Sequence, residues 1–174
     1  DYEVAEGSKG DLYIWTVYDA TGEETTLTAS ANLTSTITQP GIYKIDKYDG
    51  DGYVTNVSAK VWVPAAASLG VASNRYATYA KNNVLNVSDP SCDQSGAGKQ
   101  TFTYNDDTVV LVVEKNASDK VGDVYAGSIS NIETAANDGT RTASTTNVYI
   151  ISVEDTTDAT PVAELILVIV PYVA

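Results

Sequence analysis

The sequence predicts an all-β protein, a sandwich or open barrel of short antiparallel strands joined by long polar loops. Three observations carry this class. β-Branched and aromatic residues recur in short runs, Gly, Asp, Asn and Ser cut those runs at near-regular intervals, and side-chain character alternates or is apolar on both faces within them. That grammar fits a layered β architecture better than any α/β plan. Residues 1–174 read as a single β-rich module, with any subdivision falling within 64–84.

The clearest unit is residues 41–58. On its first arm Ile42, Lys44 and Asp46 point one way and Tyr43, Ile45 and Lys47 the other, because successive side chains leave a strand on opposite faces. Asp49-Gly50-Asp51-Gly52 then supplies a turn, and Tyr53, Val54 and Val57 restart the strand, so a hairpin is expected.

Before it, residues 1–9 fit an edge strand or an entry linker. Leu12 to Tyr18 is dense in aromatic and β-branched residues, turns at 19–23 and meets a partner strand at 25–28. Neither face of that first arm is polar, which predicts a central or doubly covered strand. Residues 29–39 carry only Leu33 and Ile37 as large aliphatics, four apart, and read as a short helical turn or a loop. Residues 59–64 form a short alternating strand closed by Pro64. The region 65–82 has modest helical spacing, weakened by Gly70, and reads either as a helix or as an irregular connection.

Val84 to Val87 is a short strand and 89–99 a loop. Residues 101–104, the turn Asn105-Asp106-Asp107 and residues 108–114 give a second hairpin, whose second arm belongs in the middle of a sheet. Weaker β signals at 124–132 follow a loop at 116–123. A long polar loop at 133–146 then leads to a third hairpin, 147–153 with 163–170, joined by the acidic loop 154–161. The run Leu165-Ile166-Leu167-Val168-Ile169-Val170 is too short to span a bilayer as a helix and reads as a buried strand.

Charge and composition narrow the function. The chain has 23 acidic and 10 basic side chains and a net charge of −13, so it repels nucleic acid. It contains no His, which removes the commonest general base and zinc ligand, and with them Ser-His-Asp and Cys-His chemistry. It contains no Met, so it reads as a mature or excised piece of something longer. The single Cys92 lies between Asp89 and Asp93, which raise rather than lower a thiol pKa and so argue against a nucleophile.

The acidic turns invite a calcium reading, because clustered oxygens on a Gly-rich turn suit a hard cation. Asp49, Asp51, Asp106 and Asp107 are the candidate metal ligands, and Ca2+ is the one cofactor considered. The EF-hand pattern fails: Lys60 occupies the position of the bidentate Glu, and Tyr53 stands where Asp or Asn is needed. A plain turn is therefore favoured over a metal site. Carboxylate pairs also suggest glycoside hydrolysis, but sequence cannot place two acids across a sugar, and no enzyme is expected. Tyr13, Trp15, Tyr18 and Trp62 could build an aromatic platform for carbohydrate, although aromatics at strand spacing more often pack in a core. Four Asn-x-Ser/Thr sequons, at Asn32, Asn56, Asn86 and Asn116, are compatible with glycosylation.

The succession Tyr13-Ile14-Trp15-Thr16-Val17-Tyr18-Asp19, Gly22-Glu23-Glu24-Thr25-Thr26-Leu27-Thr28, Pro40-Gly41-Ile42-Tyr43-Lys44 and Asp49-Gly50-Asp51-Gly52-Tyr53-Val54 resembles the β modules of large surface-layer proteins of Clostridia-like bacteria, where they accompany S-layer homology domains. Phe102 to Val110 and the closing segments 147–151 and 165–170 fit the same pattern, so the resemblance covers most of the chain. It implies no catalytic residue. It implies an extracellular, cell-surface structural module that joins copies of itself into a lattice or filament, with wall attachment supplied by a segment this chain does not show. Divalent cations between acidic surfaces would strengthen such contacts, and residues 165–170 are a candidate to complete a neighbour's sheet. The alternative is an adhesin-like domain recognising glycan or a protein partner; neither reading involves nucleic acid or membrane insertion.

Overall fold

The computed structural model describes residues 2–19, 21–38, 41–62, 75–88, 99–136, 139–154 and 160–172, with backbone alone for 59–62 and 99. Among them the protein is all-β: twelve strands in three sheets, with one 3₁₀ turn at Ile129–Asn131 and no helix long and apolar enough to cross a membrane. The chain divides into two compact units, Asp1–Asp19 with Glu23–Ala67, and Ala20–Gly22 with Ser68–Ala174.

The first unit is a five-stranded sheet of β1 (Tyr2–Gly7), β2 (Gly10–Tyr18), β3 (Glu24–Ala29), β4 (Ile42–Tyr48) and β5 (Val54–Trp62), in the order β1-β2-β3-β5-β4. Residues 1–9 thus supply an edge strand rather than a linker. β2 is ladder-bonded on both sides, as its apolar faces predict, through Trp15 opposite Tyr2 and Leu27. One face carries the core, where Trp15, Ala29, Leu33, Val54 and Val57 are buried and Tyr13, Val17, Tyr43 and Ile45 pack on them. The four-residue spacing of Leu33 and Ile37 is a single helical turn, with the Ile37 amide donating to the Leu33 carbonyl at 2.8 Å. The hairpin expected at 41–58 is present as β4 and β5. Residues 59–62 continue β5 rather than forming a separate strand, and Val63 and Pro64 lie outside the described residues.

The second unit is a two-sheet sandwich. One sheet is β6 (Tyr76–Lys81), β7 (Val84–Ser88) and β8 (Lys99–Thr103). The other is β9 (Val109–Lys115), β10 (Val121–Ala126), β11 (Asn147–Val153) and β12 (Ala163–Val170), in the order β10-β9-β12-β11. Period-two positions meet between them: Ala77, Leu85, Val87 and Phe102 from the first sheet, Val110, Val112, Val148, Ile150, Ile166 and Val168 from the second. Burying the Val, Leu, Ile and Phe side chains among them contributes about 1.5–3 kcal/mol each. The other face of the second sheet is apolar too, since Val113, Tyr149, Ile151, Leu167 and Ile169 are also buried.

Four expectations change here. Tyr76, Tyr79 and Ala80, grouped by sequence with a helix, lie in β6; the helical part of that expectation, 65–74, lies outside the described residues. The missed signal is Asn82-Asn83, whose φ values of 53° and 60° form the primed turn that a two-residue hairpin needs. Residues 101–114 are not a hairpin. β8 pairs with β7, while β9 pairs with β10 and β12, so the turn at 105–107 arches from one sheet to the other. The arch is tied to the strand it crosses: Thr108 Oγ1 donates to the Ala163 carbonyl at 2.7 Å, and the Thr103 amide to the Pro161 carbonyl at 3.0 Å. The strands are not all antiparallel, since β9 runs parallel to β12 and β3 touches β5 in parallel. Finally, residues 165–170 form the central strand of this chain's own sheet, between β9 and β11, and do not wait for a neighbour.

Candidate functional site

The acidic turn between β4 and β5 is built by its first residue. Asp49 Oδ1 accepts from the amides of Asp51 and Tyr53, both at 3.0 Å, and its own amide donates to the Tyr53 carbonyl at 2.9 Å. Gly52, at φ 86°, occupies the left-handed position that closes such a turn. The second carboxylate oxygen of Asp49 accepts from the Ser30 hydroxyl at 2.6 Å. That hydroxyl, then the Tyr53 amide, hold the Asp49 carboxyl below the usual carboxylate range. Asp51 faces a different partner: Lys9 Nζ, from the β1–β2 turn, lies 2.6 Å from its Oδ2. The oxygens that a cation would need are thus engaged by a hydroxyl, two amides and an ammonium.

Asp106 and Asp107 sit on the arch between β8 and β9, and both are exposed. The turn is organised by their neighbour instead, with Asn105 Oδ1 accepting from the Asp107 amide at 3.0 Å. The structure therefore brings Asp49 and Asp51 together and sets Asp106 beside Asp107, in different units. Among the described residues no three His, Cys, Asp or Glu side chains gather as a metal site. Cys92 and its loop, Asn137 and Asp138, and residues 155–159 of the last acidic loop lie outside the described residues.

The aromatic platform does not form from its described members. Trp15 is buried in the first core and Tyr13 half-buried against it, whereas Tyr18 is exposed on the opposite face, its hydroxyl 3.4 Å from Glu24 Oε2. The Trp62 side chain lies outside the described residues. In its place is a pairing that sequence spacing did not reveal. Tyr2 stacks on Trp15 across the β1–β2 ladder, with ring centroids 4.7 Å apart and planes at 23°.

Each of the four sequon asparagines has a role in the fold. Asn32 Oδ1 accepts from the Thr34 hydroxyl, Asn56 Nδ2 donates to Asp46, Asn86 Oδ1 accepts from Thr101, and Asn116 Oδ1 accepts from the Ser118 and Lys120 amides. In the second unit the Tyr125 hydroxyl donates to Glu114 Oε1 at 2.9 Å. Burial first, then this carboxylate, push the phenol above its ordinary range and keep it protonated.

What remains exposed and unusual is a strand. β1 stands at one edge of the five-stranded sheet, in unbroken register with β2 from Tyr2 opposite Trp15 to Gly7 opposite Gly10. Tyr2 and Val4 on it are 42% and 57% exposed. Fold and surface together define an all-β sandwich-class protein with an open sheet edge. No protein-family model, curated protein sequence or solved structure matches the chain.

Proposed function

We propose that this chain is a structural module of an extracellular surface-layer or filament-forming protein, and that its work is to join copies of itself through protein–protein contacts. The observation that carries this reading is the β1 edge. Soluble proteins blunt an edge strand with charged side chains, above all Lys, with Pro, a bulge or a covering element, because its unpaired N–H and C=O groups recruit other strands. β1 reads Tyr-Glu-Val-Ala-Glu-Gly; its only charges are Glu3 and Glu6, it has no Lys, no Pro and no register shift against β2, and Tyr2 and Val4 stay 42% and 57% exposed. Strand addition is the contact such an edge makes. The acidic surface keeps the module soluble until edges meet and suits a crowded exterior. The role involves no catalysis and no resident cofactor.

Light scattering and electron microscopy of the 174-residue chain over a concentration series test this reading. Ordered, concentration-dependent oligomers are expected. A chain that stays monomeric at every concentration and binds glycans on an array would overturn it in favour of an adhesin-like domain.

A further inference from the structure

The proposed assembly leaves open which surface the β1 edge meets, and the opposite edge of the same sheet supplies an answer. Resting on that reading, we infer that β1 of one copy pairs antiparallel with β4 of the next, Glu3 against Lys47, in a head-to-tail contact between copies of this chain.

The two edges carry opposite charge. β1 presents Glu3 and Glu6 and no cation. β4 presents Lys44 and Lys47, in a chain with only 10 basic side chains; these lysines and the register shifts of β4 guard that edge against most strands, and an acidic strand is the kind that neutralises the lysines. Its one acid, Asp46, is held back over β5, where its carboxylate accepts from Asn56 Nδ2 at 3.4 Å and Ser58 Oγ at 3.3 Å. Glu3, Glu6, Lys44 and Lys47 are all exposed, and none forms an ion pair among the described residues.

Strand direction agrees. β1 opposes β2, β2 opposes β3, β3 runs with β5, and β5 opposes β4, so β1 and β4 run in opposite senses. A second copy added in the same orientation therefore brings its β1 antiparallel to β4. Register follows from the faces. Tyr2 shares the core-side face of the sheet through its partner Trp15, and Tyr48 shares it through Val54. Tyr2 and Tyr48 are 42% and 54% exposed. Setting them opposite each other places Glu3 against Lys47 on the solvent side, because Glu3 lies beside Ile14 and Lys47 beside Asn56. The register shift in β4 between Ile45 and Lys47 makes Asp46 the extra residue, which brings Ile45 opposite the exposed Val4. One aromatic pair, one ion pair and one aliphatic pair then succeed one another along the joint.

The like-to-like alternatives lack this complementarity. Two β1 edges would gather four carboxylates without a cation, and two β4 edges four ammonium groups. Opposed charges select the heterologous joint, and a heterologous joint that does not close on itself grows into a filament.

Two charge-reversed chains test the inference: Glu3→Lys with Glu6→Lys makes both edges basic, and Lys44→Glu with Lys47→Glu makes both edges acidic. Each is compared with wild type at low salt by sedimentation velocity, with thermal melts showing that it folds. Each alone should associate roughly tenfold or more weakly, since like charges replace a favourable cross-strand pair and 1.4 kcal/mol is a factor of ten. An equimolar mixture should regain association, because the basic β4 edge of one chain then meets the acidic β1 edge of the other. Wild-type association in either variant alone, or no recovery on mixing, overturns the β1–β4 joint and leaves the assembly reading standing. A wild-type chain that never associates overturns both.

Discussion

Lys9 Nζ lies 2.6 Å from Asp51 Oδ2, so an ammonium from the β1–β2 turn occupies the place beside the β4–β5 turn where a divalent cation would be sought. Both partners are well exposed, at 77% and 50%, so the pair contributes about 0–1 kcal/mol. Replacing Lys9 by Met should lower the melting temperature by no more than a few degrees. Calcium should leave the wild-type melt where the chelator leaves it. A calcium-dependent rise of several degrees in wild type would show that the turn takes a cation in preference to Lys9.

Asp49 gives the turn a pH dependence whose sign is fixed. Its folded-state pKa is lowered by the Ser30 hydroxyl and the Tyr53 amide, so the carboxylate stabilises the fold above its ordinary value of 3.8. That contribution is lost as pH falls through the lowered pKa. Asp49→Asn keeps the turn oxygen and removes the charge. Its melting temperature should sit below wild type at pH 7, and the gap should close below pH 3.8. A gap independent of pH would assign the effect to shape rather than charge.

The Asn82-Asn83 turn makes a sharper prediction for the second unit. Both residues hold positive φ, a region that costs a β-branched residue about 1–2 kcal/mol. Asn83→Val should destabilise by roughly that amount in urea unfolding, whereas Asn83→Gly should match or exceed wild type, because glycine suits the second position of a primed turn.

Phe102 is fully buried between the two sheets of the sandwich. Phe102→Ala should cost about 3–5 kcal/mol by urea unfolding monitored by circular dichroism. Deleting residues 165–174 goes further, because it strips β9 and β11 of the strand that joins them. The deleted chain should lose its cooperative melt. A truncated chain that melts like wild type would mean β12 is dispensable.

The sequence carried the local signals of this fold and missed the distant ones. Alternation found β4, and apolar runs found β9 and β12, because those patterns report what each strand buries. Aromatic strand, acidic turn and apolar strand look the same whether the chain folds back on itself or crosses between sheets, so sequence alone places Phe102 and Val110 in one hairpin. Only their pairing with Leu85 and Ile166 separates them. The tyrosines of β6 fell at helix spacing by accident, and the two asparagines that decide the matter have no Gly to advertise the turn. The candidate acidic turn was legible, but its occupants were not: Ser30 and Lys9 reach it through tertiary placement. The opposed charges of β1 and β4 were in plain view as residues and acquired meaning only when both strands proved to be edges of one sheet.

The parallel pair at the heart of the sandwich also sets an order of events. Val110 and Val112 pair with Ile166 and Val168, so β9 lacks this partner until residues 163–170 are available. A chain lengthening from its N-terminus can complete the β6–β7–β8 ladder early, from neighbours close in sequence. Leu85 and Phe102 are then covered in full only when β9, β11 and β12 are all in place, and that interval is when a stray strand from another chain has its best chance to take the place of β12.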